Sequence, residues 1–318
     1  IEEDGTTTTT AGEPVARLVT DGAPLTGIPF DDPATGERPA LAVKIDNHPR
    51  ARPQFALNEA DAVYEVLVEG GITRFIALFH QSDADYLGPN RSGRVTDSKI
   101  VASLAGAPFQ ISGAQGWVKS IYERDGINAV YDFGTTTFRN DDRPKPHNLI
   151  TSTPAIREYA DERGWPDEGP GNLFAYGEPS PTDGEATFIE VAFSDVPPST
   201  WAWDGTEYLR FNGSVPHEWT DTEGNVGQVT ADVLVTMKMR KYIERNPSGS
   251  GTALPTMDTL GSGEALVFHS GQVTAGTWER EAIEDPFLLT TADGVELVMP
   301  PGRVWISLVP ENETITWE

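Results

Sequence analysis

Two apolar, β-branched and aromatic runs flank Gly70-Gly71 in DAVYEVLVEGGITRFIALFH, residues 61–80, and this stretch constrains the fold more than any other. Glycine tolerates the positive φ of a tight hairpin, so the pair predicts a two-residue turn between antiparallel strands. In that register Arg74 lies opposite Leu67, with Glu65 and Glu69 as diagonal neighbours on the same face. The pattern favours an ion-pair cluster of these three over carboxylate catalysis or a hard metal site.

Strands and helices alternate around the hairpin. ALAVKI (40–45), APFQI (107–111) and NAVYDF (128–133) read as strands. DSKIVASLA reads as a helix with Asp97 as N-cap, and SGAQGWVKSIYERDG as a turn and helix ending at Gly126. A third helix is signalled by Thr153 as N-cap, Pro154 at the first helical position and Gly164 at the C-terminus. Alternation of this kind indicates a mixed sheet with helices packed on it.

The texture changes near residue 166, where a Pro- and Gly-rich connector begins. Beyond it the chain is almost all strand signals punctuated by Asp-Gly and Ser-Gly, which predicts an antiparallel meander. Trp201, Trp203, Trp219, Trp278 and Trp305 fall in this half and predict a packed β core rather than an exposed glycan platform. The expected class is α+β: a mixed-sheet, layered α/β/β sandwich with a mainly antiparallel C-terminal half. The expected division is a Thr-rich disordered tether over 1–25, an N-terminal α/β domain over 26–175, and a β-rich domain over 176–318 packed on it.

Charge bounds the partners. The formal net charge is -26, but residues 44–147 hold 12 Lys/Arg against 13 Asp/Glu. That leaves 11 of the 23 basic and 36 of the 49 acidic residues for the rest of the chain. The acidity argues against nucleic acid or an anionic membrane face as the main partner. The near-neutral first domain is where a local positive concavity is expected. With no cysteine, the chain has no disulfide, thiolate metal site or cysteine nucleophile. HExxH, GxSxG, Walker and GxGxxG signatures are absent, and no cofactor or metal is expected. The sequons at Asn212 and Asn312 carry no weight without a known host.

Within that first domain, GPNRSGRV (88–95) places Arg91, Ser92 and Arg94 in a loop just before a helix. Guanidinium groups are bidentate donors to phosphate or carboxylate, and a helix N-terminus favours an anion. The alternative is that both arginines pair with Asp83, Asp85 or Asp97. His48 and His147 each sit beside a proline and an asparagine, in DNHPR and PKPHN. If the sheet brings those loops together at one edge, Asp46, Asn47, His48, His147 and Asn148 would line the site containing Arg91. Imidazoles there suit acid–base work near neutral pH, so His48 and His147 are the catalytic candidates, though both would serve equally as loop staples. Asp141-Asp142 reads as a solvated loop pair.

Taken together, KIDNHPRARPQ, ADAVYEVLVEGGITRFIALF, GPNRSGR and PHNLITS resemble the YerB-like family of bacterial envelope lipoproteins, which carry a domain of unknown function. ADVLVTMKM, GEALVFHSGQVTAGTWER and GVELVMPPGRVWISLVP resemble its C-terminal domain. The resemblance spans roughly residues 38 to 312; Asn90 and Gly93 depart from its pattern around the two arginines. It implies a layered α/β fold, export, and a lipid anchor on a cysteine upstream, with the Thr-rich start as tether. It implies no reaction. The expected function is binding of an anionic or sugar-containing envelope component, or of a cell-wall synthesis protein, through Arg74, Arg91, Ser92, Arg94, Asn47 and Asn148. The alternative is a hydrolase or transferase acting on a phosphate- or uronate-bearing envelope polymer.

Overall fold

The computed structural model describes residues 22–131 and 134–318. Most of the predicted tether, and Asp132 and Phe133 at the end of NAVYDF, lie outside the described residues.

An 11-stranded sheet runs through both halves of the chain without a break. At its centre, Val304–Pro310 lies parallel to Val233–Met239 on one side and to Ala62–Leu67 on the other. Ala62–Leu67 then pairs antiparallel with Thr73–Phe79, and that strand with Leu41–Asp46. Every residue of these three strands is buried, as expected when a sheet is covered on both faces. One face carries the helices Val95–Val101 and Gly116–Arg124, with Val95, Ile100, Val118 and Tyr122 packed on Tyr64, Ile76 and Ile306. The other face is covered by a smaller sheet containing Phe188–Val191, Ser199–Trp203 and Tyr208–Asn212, through Ile189, Trp201 and Tyr208 against Val63, Phe75 and Trp305. The molecule is thus an α+β structure with one helical layer and two β layers.

Three expectations need correction. The hairpin turn has three residues, not two: Glu69, Gly70 and Gly71 form the loop, and Val68 N–H donates to Ile72 O at 2.8 Å. Both glycines take positive φ, 75° and 76°. The extra residue slips the register by one, so Arg74 opposes Val66 and Thr73 opposes Leu67. Side chains alternate along a strand, so Glu65 and Arg74 fall on opposite faces of the sheet and cannot form the predicted cluster.

The second half, in turn, is not a simple meander. Val233–Met239, Gly261–His269, Gln272–Arg280 and Leu288–Thr291 do pair antiparallel in succession. The next long strand instead crosses back to pair parallel at the centre, a connection that hairpin dipeptides do not announce. Caps also shift by a residue or more. Arg94 precedes the first helix while Asp97 sits in its first turn, and Ser152 rather than Thr153 caps the helix Thr153–Asp161.

Candidate functional site

At the end of the strand Leu41–Asp46, the Asp46 carboxylate takes two hydrogen bonds and one ion pair. His147 Nδ1 lies 2.7 Å from Oδ2, Arg91 Nε 3.1 Å from the same oxygen, and the His48 backbone N–H donates to Oδ1 at 3.0 Å. Pro49 starts a short turn here, and His48 Nδ1 accepts the Arg50 N–H at 3.1 Å, which fixes the ring. The two imidazoles stack with centroids 4.5 Å apart and planes 18° from parallel. Burial, then the neighbouring His147, holds His48 below the ordinary histidine range, so it is neutral at pH 7 with its proton on Nε2.

Arg74, directly opposite Asp46 in the sheet, brings a second guanidinium to the same end. It is buried, donates from Nη1 to Ser92 O at 2.7 Å, and leaves Nε without a partner. Burial, then Arg94 and Arg91, push it down to about 10, so it stays charged at neutral pH at a cost that a nearby anion would relieve. Arg94 is committed elsewhere: Nε and Nη2 grip both oxygens of Glu69 at 2.6 and 2.8 Å. Neither loop arginine pairs with Asp83, Asp85 or Asp97. Asp83 holds Arg38 and Arg157, and Asp97 holds the buried Lys44 at 2.6 Å.

The 88–95 loop is a brace and not a flexible cradle. Asn90 N–H donates to Leu149 O, Arg91 N–H to Lys44 O, Gly93 N–H to Gly113 O, and Arg94 N–H to the Asp97 carboxylate. A Cβ at Gly93 would lie 2.3 Å from the Tyr122 hydroxyl, which donates to Arg94 O, so only glycine fits. With the Asn90, Arg91, Gly93 and Arg94 amides spent inside the fold and a helix of only 7 residues behind it, the loop offers an anion chiefly its side chains. The helix-dipole argument from sequence does not apply.

Arg74, Arg91, Ser92, His48 and His147 therefore converge around Asp46. Asn47 turns to the opposite face, donating to Thr73 Oγ1 at 2.8 Å and accepting from Arg52. Asn148 holds its own loop together through Asn140 O and Arg139. Ser112, whose hydroxyl lies 3.3 Å from that of Ser92, and the Lys44–Asp97 pair beneath the arginines were not foreseen. A lysine inside the apolar run ALAVKI was the available signal for the latter.

Glu65, on the other face, ion-pairs with Arg210 at 2.8 Å, both fully buried. It also accepts from Thr73, Ser199 and Trp305 at 2.6, 2.9 and 2.9 Å. The Arg210 guanidinium lies 5.0–5.7 Å from the ring centroids of Phe75, Trp201 and Trp305, where cation–π attraction offsets part of its lost hydration.

Comparison with known proteins agrees with this architecture. The chain is 27% identical over 308 residues to "Putative lipoprotein YerB" of Bacillus subtilis (strain 168), covering 91% of this chain and 86% of that one. The crystal structure of the YerB protein from Bacillus subtilis superposes with a TM-score of 0.78 at 27% identity, covering 93% of this chain and 99% of that one. Residues 25–166 match the N-terminal domain, and residues 189–306 the C-terminal domain, of a protein of unknown function, DUF3048. Through both of those domains, the chain belongs to the DUF3048 family.

Proposed function

We propose that this chain is an extracytoplasmic, lipid-anchored protein that binds an anionic or sugar-containing component of the cell envelope, or a wall-synthesis protein, at the Asp46–Arg91 cluster. The likeness to "Putative lipoprotein YerB" supports the anchored placement. Among the described residues, no helix is long and apolar enough to cross a membrane. One observation carries the binding reading: Asp46 is a carboxylate shared by Arg91 and His147, while Arg74 opposite it keeps an Nε with no hydrogen bond among the described residues. Lys44, Arg74, Arg91 and Arg94 face Asp46, Glu69 and Asp97, so the cluster is net cationic in a strongly acidic chain. The Arg91 side chain is 24% exposed, which leaves its outer edge for a phosphate or carboxylate.

Titration of phosphate- and uronate-bearing glycan fragments at low salt tests this. A charge-assisted hydrogen bond contributes about 1.5–3 kcal/mol, so Arg91→Ala should weaken binding by roughly 10- to 100-fold. Added salt should weaken wild-type binding as well. Equal affinity of wild type and Arg91→Ala for every fragment refutes the site.

The Asp46–His147 bond favours a second reading, a hydrolase or transferase on the same polymers. A carboxylate at Nδ1 fixes the tautomer and leaves Nε2, which makes no hydrogen bond with the described residues, free to move a proton. General acid–base catalysis contributes about 10²–10⁴-fold, so His147→Gln should remove turnover by that factor while binding persists. Absence of turnover by the wild type sinks this reading and leaves binding.

A further inference from the structure

Asp46 and Asn47 are consecutive and point to opposite faces, so the same sheet end carries a second concavity behind the first. It is a cavity of about 280 Å³, just below the usual range for ligand pockets. Its walls are apolar: Ile72, Phe193, Val196, Pro197 and Pro198. Its floor is polar and holds Arg52, Arg210, Asn212, Ser199 and Glu65.

Hydrogen-bond accounting shows what this floor offers. The Thr73 and Ser199 hydroxyls give their protons to Glu65, and their oxygens accept from Asn47 and Arg210. Asn47 Oδ1 accepts from Arg52 Nε at 3.0 Å, and Asn212 Oδ1 from Arg210 Nη1 at 3.1 Å. Glu65 is sealed beneath four donors. Every side-chain acceptor of the lining is therefore engaged. The donors are not: Arg52 Nη1 and Asn212 Nδ2 make no hydrogen bond with the described residues. Arg52 and Arg210 against Glu65 also leave the lining one positive charge in excess.

We propose that this cavity binds a monocarboxylate with a small apolar body, of the kind presented by a peptide C-terminus or a short branched acid. The carboxylate meets Arg52 Nη1 and Asn212 Nδ2, and the apolar body lies against Val196, Pro197 and Phe193. A donor-only floor of net positive charge selects a carboxylate over an amide or ammonium, because those would bring protons with no acceptor to receive them. The volume limits the apolar body to about one or two small residues. This site is distinct from the Asp46 cluster, with its own residues and its own face of the sheet.

The test uses the full chain and acetyl-Ala-Val with a free C-terminus, followed by amide-resolved NMR titration. The same peptide as its C-terminal amide, and isovalerate, serve as comparisons. Saturable shifts confined to the cavity lining are expected for the acid, with at least tenfold weaker binding of the amide. Val196→Trp, at a 36% exposed rim position, should fill the cavity and abolish acid binding without lowering the melting temperature. Asn212→Asp keeps the acceptor for Arg210 but sets a carboxylate against the ligand, and should weaken binding tenfold or more. Isovalerate binding as tightly as the peptide assigns the site to free acids, and weaker binding assigns it to C-termini; both support the proposal. Equal binding of acid and amide, no binding of any probe, or wild-type affinity in folded Val196→Trp or Asn212→Asp overturns it.

Discussion

Glu65 occupies a place where a carboxylate is costly to keep: it is fully buried, on the centre of the sheet, and answered by Arg210 from the covering layer. Breaking such a pair leaves a buried charge without compensation, at about 3–5 kcal/mol. Glu65→Ala should therefore lower the urea-unfolding free energy by about that amount, whereas Glu65→Leu combined with Arg210→Met should recover most of it. A double variant no better than the single would show that Glu65 acts independently of Arg210. None of this was legible in the sequence. Glu65 and Arg210 are 145 residues apart and on different layers, so no local period connects them. By contrast, the sequence allowed His48, His147 and Arg91 to meet only on the condition that the sheet bring their loops to one edge, and the structure places all three beside Asp46. What the sequence could not supply was Asp46 as their common partner, or the outward commitment of Arg94 to Glu69.

The hairpin shows at the level of the element how a single residue decides chemistry. Strand positions and the glycine turn were readable from composition, but loop length was not, since Gly70-Gly71 serves a two- or a three-residue loop. The longer loop sends Glu65 to one face and Arg74 to the other, and so creates two polar sites where one was expected. The two glycines differ in their surroundings. A Cβ at Gly70 would meet nothing within 4 Å, but one at Gly71 would lie 2.8 Å from Ser194 Oγ, whose hydroxyl donates to Gly71 O. Gly70→Ala should cost only the strain of positive φ, about 1–2 kcal/mol. Gly71→Ala should cost measurably more, and adding Ser194→Ala should narrow the gap. Equal urea midpoints for the two single variants would contradict this.

For the whole molecule, two histidines outside the Asp46 cluster should make stability fall in mild acid. Burial, then Arg210 and Arg52, hold His217 well below the ordinary histidine range; burial, then Arg38, brings His80 down to about 4. Unfolded imidazoles titrate near 6.5, so below that pH the unfolded chain takes up protons that the fold refuses. The stability these groups contribute is present above about 6.5 and is lost as pH falls toward 4, by at most about 1.4 kcal/mol per pH unit for each ring. Urea midpoints should fall between pH 6.5 and 5, and His80→Phe should flatten that slope; a pH-independent midpoint would refute the assignment. The central strand Val304–Pro310 has a consequence of a different kind, in time rather than in energy. It follows both of its partners in the chain, so Ala62–Leu67 and Val233–Met239 leave the ribosome first and wait for it. Until residue 310 emerges, two halves of the sheet present bare inner edges, and any hold-up in synthesis leaves them open to pairing with other chains.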